Sequence, residues 1–165
     1  MAQRETTGPV TLTVLDRLID EEPKSRVEAP LTYSKSLAKL KVGLRRDLEN
    51  LLNSRQNPEG VPESCGETAK SVHMYGFPDV SSLPANFLYD QNRLVSLLQE
   101  TLSTFEPRLE GIKVTLVPAT DTSRVVRFVI EGMLMIDPTP EHVVYDAALE
   151  LTSGSYQVSG DSSAG

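Results

Sequence analysis

Little in this chain is suited to chemistry. Its 165 residues include a single cysteine, Cys65, which allows no internal disulfide and cannot by itself build a zinc site. Cys65 also sits between Glu63 and Glu67, acidic neighbours that disfavour a reactive thiolate. Tryptophan is absent, and the two histidines, His73 and His142, lie far apart with no Cys or acidic cluster at ligand spacing. Lys and Arg number 16 against 23 Asp and Glu, a net charge of −7, and no basic stretch is interleaved with aromatics. That balance disfavours nucleic acid as a partner. There is no glycine-rich phosphate loop and no Gly-x-Ser-x-Gly elbow. No cofactor or metal is therefore expected. No apolar run approaches the roughly 20 residues needed to span a bilayer, and Met1 to Thr13 lacks the basic-then-apolar pattern of a secretory signal. These features predict a soluble, cytoplasmic protein with no direct membrane insertion.

The carboxylates that remain do not suggest catalysis either. Glu106 with Asp79 or Asp137 could be imagined as a hydrolytic pair, but nothing in the sequence brings them together, and surface charges or turn caps account for each. The residues favour a non-enzymatic protein.

What is present is apolar periodicity. Residues 11–22 form a short amphipathic stretch, with Leu12, Leu15, Leu18 and Ile19 on one helical face and Asp16, Arg17 and Asp20 opposite. Pro23 and Pro30 bracket a polar linker. Such a helix either docks on the core or binds another chain, and docking is the favoured expectation. A longer helix is predicted from about Ser34 or Ser36 to Ser54, with Leu37, Leu40, Leu44, Leu48, Leu51 and Leu52 on one face. Residues 57–86 are rich in Gly and Pro, and their length suggests a binding loop or packed irregular coil. Asp90 is placed as the N-cap of a second long helix reaching Thr104, with Leu94, Leu97, Leu98, Leu102 and Phe105 inward.

Alternating patterns follow. Ile112, Val114 and Leu116 lie on one face of a first strand; Val126, Phe128, Ile130, Leu134 and Ile136 on one face of a second; Val143, Tyr145, Ala147, Leu149 and Leu151 on one face of a third. The expected fold class is α+β: two long amphipathic helices packed on a small antiparallel sheet, a three-stranded meander, plus the short N-terminal helix. The expected organisation is an extension over 1–30, a single core domain over 31–152, and a Ser/Gly-rich tail over 153–165 with at most a brief strand at Tyr156 to Val158. A meander leaves edges, and the strand from His142 to Leu151 with the short one after it is a candidate for pairing with another chain, although an edge strand is usually only an edge.

Between the second helix and the first strand stands Glu106-Pro107-Arg108. Pro107 has no N–H and disfavours the α region for Glu106, so the helix must end there. If the backbone beyond is extended, Glu106 and Arg108 share an outward face, and Phe105, Pro107 and Leu109 turn toward the core. A carboxylate and a guanidinium held side by side can grip a partner; alternatively they form an intramolecular ion pair at the helix end.

Five segments together resemble the type VI secretion baseplate subunit family TssE, related to the small wedge protein of contractile phage tails. They are Leu15 to Leu18, Leu44 to Arg55, Tyr75-Gly76-Phe77-Pro78-Asp79, Phe105 to Leu109, and the closing strands Arg127 to Leu151. The family often has Thr where Ser54 stands. The resemblance implies a structural baseplate wedge component in which Glu106, Pro107 and Arg108 clasp a helical bundle of neighbouring wedge subunits. Tyr75, Gly76, Pro78, Asp79 and Arg55 are the other expected partner-binding positions. It also implies that the strands at 124–136 and 142–151 accept strands from sheath subunits and template sheath assembly. The phage relatives carry an old lysozyme label, which makes a peptidoglycan hydrolase the alternative expectation.

Overall fold

The computed structural model describes residues 8–19, 30–62, 64–79, 91–118 and 125–161. Among them are helices α1 (Val14–Leu18), α2 (Tyr33–Asn53), α3 (Gly66–Ala69) and α4 (Gln91–Phe105), a 3₁₀ turn at Val72–Met74, and strands β1 (Leu109–Val117), β2 (Val125–Leu134), β3 (Glu141–Glu150) and β4 (Ser155–Asp161). The strands form one antiparallel sheet in the order β1-β2-β3-β4. Helices α4 and α2 cover one face, α4 over β1 and α2 over β4.

The two long helices form where the apolar spacing places them. Thr32 caps α2, its hydroxyl accepting from the Lys35 N–H. Leu40, Leu44, Leu48, Leu51 and Leu52 are buried along one side of α2, and Leu94, Leu98 and Leu102 along α4. They meet Ile112, Val114, Phe128, Ile130, Leu134, Val143, Tyr145, Ala147 and Leu149, the inward alternates of β1, β2 and β3. Within that layer the Tyr145 hydroxyl donates to the Lys41 carbonyl at 3.1 Å. The predicted N-cap Asp90, the linker after α1 and most of the turn after β1 lie outside the described residues.

The sheet has four strands where the meander pattern predicts three. The fourth arises in the Ser/Gly-rich stretch because two inward alternates suffice: Tyr156 and Val158 are buried, and Tyr156 packs edge-on against Phe77 with ring centroids 5.5 Å apart. Side chains of α2 complete its anchoring. Asn53 donates to the Tyr156 carbonyl at 2.8 Å and accepts from the Tyr156 N–H at 2.9 Å, and Arg45 donates to the Val158 carbonyl at 3.2 Å. This corrects the location of the edges as well. β2 and β3 are interior strands, paired on both sides, so they cannot accept a new strand without losing a neighbour; among the described residues the outer strands are β1 and β4.

The N-terminal segment docks, but of its predicted apolar stripe only Leu12 is buried. The segment 8–19 lies as a strap against α2: the Val10 N–H donates to the buried Ser36 hydroxyl at 2.8 Å, and Leu12 enters the core. Helix α1 itself is a single short turn with no buried residue, and Leu18 is 76% exposed. Its contact with α2 is polar, through Asp16, whose carboxylate lies over Gly43: a Cβ at that glycine would come within 2.6 Å of Asp16 Oδ2.

Candidate functional site

The backbone at Glu106-Pro107-Arg108 is pinned at almost every polar group. The Glu106 N–H completes the last turn of α4 by donating to the Leu102 carbonyl at 2.9 Å. Its own carbonyl accepts from Leu109 N–H at 3.1 Å, closing a tight turn through Pro107 and Arg108. The Arg108 carbonyl then accepts from Met135 N–H at 2.9 Å, continuing the β1–β2 ladder into the corner. Pro107 takes the one position whose missing N–H leaves nothing unsatisfied.

A turn, unlike a strand, does not alternate its side chains, and the outward placement of Glu106 is overturned. Glu106 is buried, its side chain 6% exposed, and Pro107 projects into solvent instead of the core. Arg108, 25% exposed, folds back on Glu106 in a bidentate pair, with Nε to Oε1 and Nη2 to Oε2 both at 2.6 Å. The intramolecular ion pair at the helix end, one of the two readings, is formed in the chain. The pair also accounts for Glu106, which is not available to act with Asp79 or Asp137.

The pair is one end of a longer polar chain. Arg108 Nη2 also reaches Asp47 Oδ2 on α2 at 2.8 Å. The other Asp47 oxygen receives Arg46 Nη2 at 3.1 Å, and the same Arg46 nitrogen bonds Asp16 Oδ1 at 2.8 Å. Asp16 is capped in turn by the Thr13 hydroxyl at 2.6 Å. Glu106, Arg108, Asp47, Arg46 and Asp16 thus alternate in sign from the end of α4, across α2, to the strap. The bonds to Glu106, outweighing burial and reinforced by Asp47, hold the proton on Arg108 more firmly than on a free guanidinium. Burial pushes the Asp16 carboxyl up, but its bonds from Thr13 and Arg46 prevail and hold it below the ordinary aspartate value.

Tyr75 joins this corner. Its ring packs edge-on against Phe105 at 5.5 Å. Burial, then the carboxylates of Asp47 and Glu106, push its hydroxyl above the usual tyrosine value, with Arg108 acting the other way. The following residues are fixed to the end of α2: Phe77 N–H donates to the Ser54 carbonyl at 2.8 Å, and Gln56 N–H to the Phe77 carbonyl at 3.1 Å. Gly76 makes that approach possible. It has φ 125°, and a Cβ there would lie 2.6 Å from the Ser54 carbonyl oxygen. Pro78 is half-buried. Arg55 and Asp79 form a separate surface pair at 3.2 Å beyond the end of α2, with side chains 45% and 48% exposed.

The expected positions therefore divide in two. Glu106, Pro107, Arg108 and Tyr75 converge on one corner; Gly76 and Pro78 shape the backbone beside it; Arg55 and Asp79 stand apart. The residues that sequence reasoning missed are Asp47, Arg46 and Asp16. Arg46 and Asp47 are consecutive on the polar side of a leucine helix, where charges read as solvated, and only the tertiary fold shows their partners.

The family model described as Baseplate wedge protein gp25 matches residues 38–139, from within α2 through β2, and the chain belongs to that family. It is accordingly a structural component of a contractile-tail baseplate that interacts with other baseplate subunits. No match to a curated protein or to a solved structure was found. The matched region contains Asp47, Tyr75 to Asp79 and the whole Glu106–Arg108 corner, while the strap, β3 and β4 lie outside it. Among the described residues no helix is long and apolar enough to cross a membrane.

Proposed function

We propose that the protein is the wedge subunit of a type VI secretion baseplate, and that the corner of Glu106, Pro107 and Arg108, with Tyr75 beside it, clasps a helical bundle formed by neighbouring wedge subunits. The observation that carries this reading is the corner's build. A buried carboxylate fixes a partly exposed guanidinium next to a protruding proline, within the region matched to the wedge family. Preorganisation of this kind lowers the cost of binding because the charged side chain is already ordered. Sheath attachment fits the same molecule by main-chain pairing on the outer edge of β4.

The test is purification of the tagged protein from native lysate, with the accompanying proteins identified by mass spectrometry. Wild type should bring wedge subunits, and sheath subunits where tails are assembling. The double variant Glu106→Gln/Arg108→Gln keeps hydrogen-bonding groups but removes both charges, and should lose the wedge subunits while remaining folded. Recovery of wedge subunits at full yield by that variant would move the clasp to another surface. A preparation without wedge partners that cleared peptidoglycan would replace the structural reading with the hydrolase.

A further inference from the structure

The polar chain reaches past the wedge-family region into the strap, and three features make that connection more than a surface ion pair. Arg46 Nη2 bonds both Asp16 and Asp47, and Arg46 Nε also reaches Asp47 at 3.3 Å, so the strap's anchor and the holder of Arg108 share one guanidinium. The strap residues Pro9 to Thr13 wall one side of a pocket of about 300 Å³ whose opposite wall is Leu134 to Asp137, and Arg108 lines it too. Arg108 Nη1 is buried with no hydrogen-bond acceptor among the described residues, although Nε and Nη2 are fully engaged. An unpaired charged donor is costly when buried and is not stabilised by anything the strap offers it.

We infer that the segment 8–19 is a cover over Arg108, and that Asp16, Arg46 and Asp47 are positioning residues that couple its docking to the Glu106–Arg108 corner. With the strap docked, Arg108 Nε and Nη2 are held by its internal carboxylates and Nη1 is closed off without an acceptor among the described residues. With the strap lifted, the pocket opens and Nη1 becomes available to a carbonyl or carboxylate oxygen of a neighbouring subunit. What the cover regulates rests on the reading of the corner as the wedge contact. Gly43 sets the cover's seat: it is the residue on α2 over which Asp16 fits, in a helix where alanine is the better former.

Arginine-selective modification of the full chain by phenylglyoxal, followed residue by residue by mass spectrometry, tests the coupling without any partner. Arg127, exposed on the open face of the sheet, is the internal reference. Asp16→Asn removes the anchor's charge. Gly43→Ala displaces Asp16 sterically and leaves every charge in place. In both variants Arg108 should react about fivefold faster or more relative to wild type, the lower range of coupling between sites, with Arg127 unchanged and melting little altered. An Arg108 rate unchanged in both variants overturns the inference. So does a rise shared equally by Arg127, which would report general loosening of the fold. Failure here leaves the wedge contact standing, and loss of the wedge contact leaves this coupling standing.

Discussion

Helix α2 turns its leucines to the sheet and keeps Arg46 and Asp47 outside, whereas α1 turns Asp16 toward α2 and leaves Leu15 and Leu18 in solvent. Both belong to the same molecule, and both carry leucines at helical spacing. The difference lies in length and in what each can bury. A 21-residue helix offers a continuous apolar stripe that matches a sheet face. A five-residue turn offers too little area to outweigh the cost of ordering it, so a polar anchor and a single inserted leucine, Leu12, decide its seat. Spacing predicts a face; only area makes the face dock.

The most severe break of this comparison is Leu48→Asp, which places a carboxylate in the fully buried face of α2. A loss of about 5 kcal/mol or more is expected, enough to abolish soluble expression. The matched change Leu18→Asp should alter stability by less than about 0.5 kcal/mol. Thermal melts of the pair check this directly. Equal losses in the two variants would show that α1 docks through its leucines.

Next in size is Arg108→Ala. Were Arg108 without internal partners, its truncation would leave the fold intact. Because it neutralises the buried carboxylate of Glu106, about 3 kcal/mol should instead be lost. The midpoint of urea unfolding measures it, and Glu106→Gln/Arg108→Gln should recover most of the loss, since no uncompensated charge stays buried. Asn53→Ala comes third. It deprives both the N–H and the carbonyl of Tyr156 of their α2 partner, at a cost of about 2 kcal/mol. Amide exchange at Tyr156 should accelerate more than exchange in β2, which would show β4 to be the less firmly held half of the sheet.

The same comparison explains what could be read from sequence. Helices α2 and α4 and the inward faces of β1, β2 and β3 follow from spacing alone, because each buries a long periodic face and a one-residue slip would turn it outward. β4 was legible only as a brief strand at Tyr156 to Val158: those two residues alone signal a period of two, inside a composition that reads as a tail, and the backbone is held by Asn53 and Arg45 from a distant helix. The corner was half legible. Pro107 correctly marks the end of α4, but the side-chain directions of Glu106 and Pro107 depend on whether a turn or a strand follows, and that is set by the Leu109 to Glu106 hydrogen bond rather than by any residue preference. The Asp47–Arg46–Asp16 chain has no local signature, since Asp16 lies on α1 while Arg46 and Asp47 lie on α2, and each alone reads as an ordinary surface charge.

The smallest expected effect is the pH dependence of the strap. Asp16 has its carboxyl held below the ordinary aspartate value, so the unfolded or undocked chain binds its proton first as pH falls. The contribution of Asp16 is therefore complete above the undocked value of about 3.9 and is lost progressively as pH drops through the lower, docked value. Protonated Asp16 can still bond Thr13, but its attraction to Arg46 is gone. The readout is amide exchange at Val10, whose N–H reports strap docking through Ser36. Between pH 5 and 3 protection at Val10 should fall faster than protection in the core of β2. In Asp16→Asn, Val10 should already exchange fast at pH 5, and its exchange relative to the core should change little on acidification. If Val10 and β2 instead lost protection together in wild type, the strap would not be a separately held element, and α1 would have to be counted with α2 as part of one cooperative core.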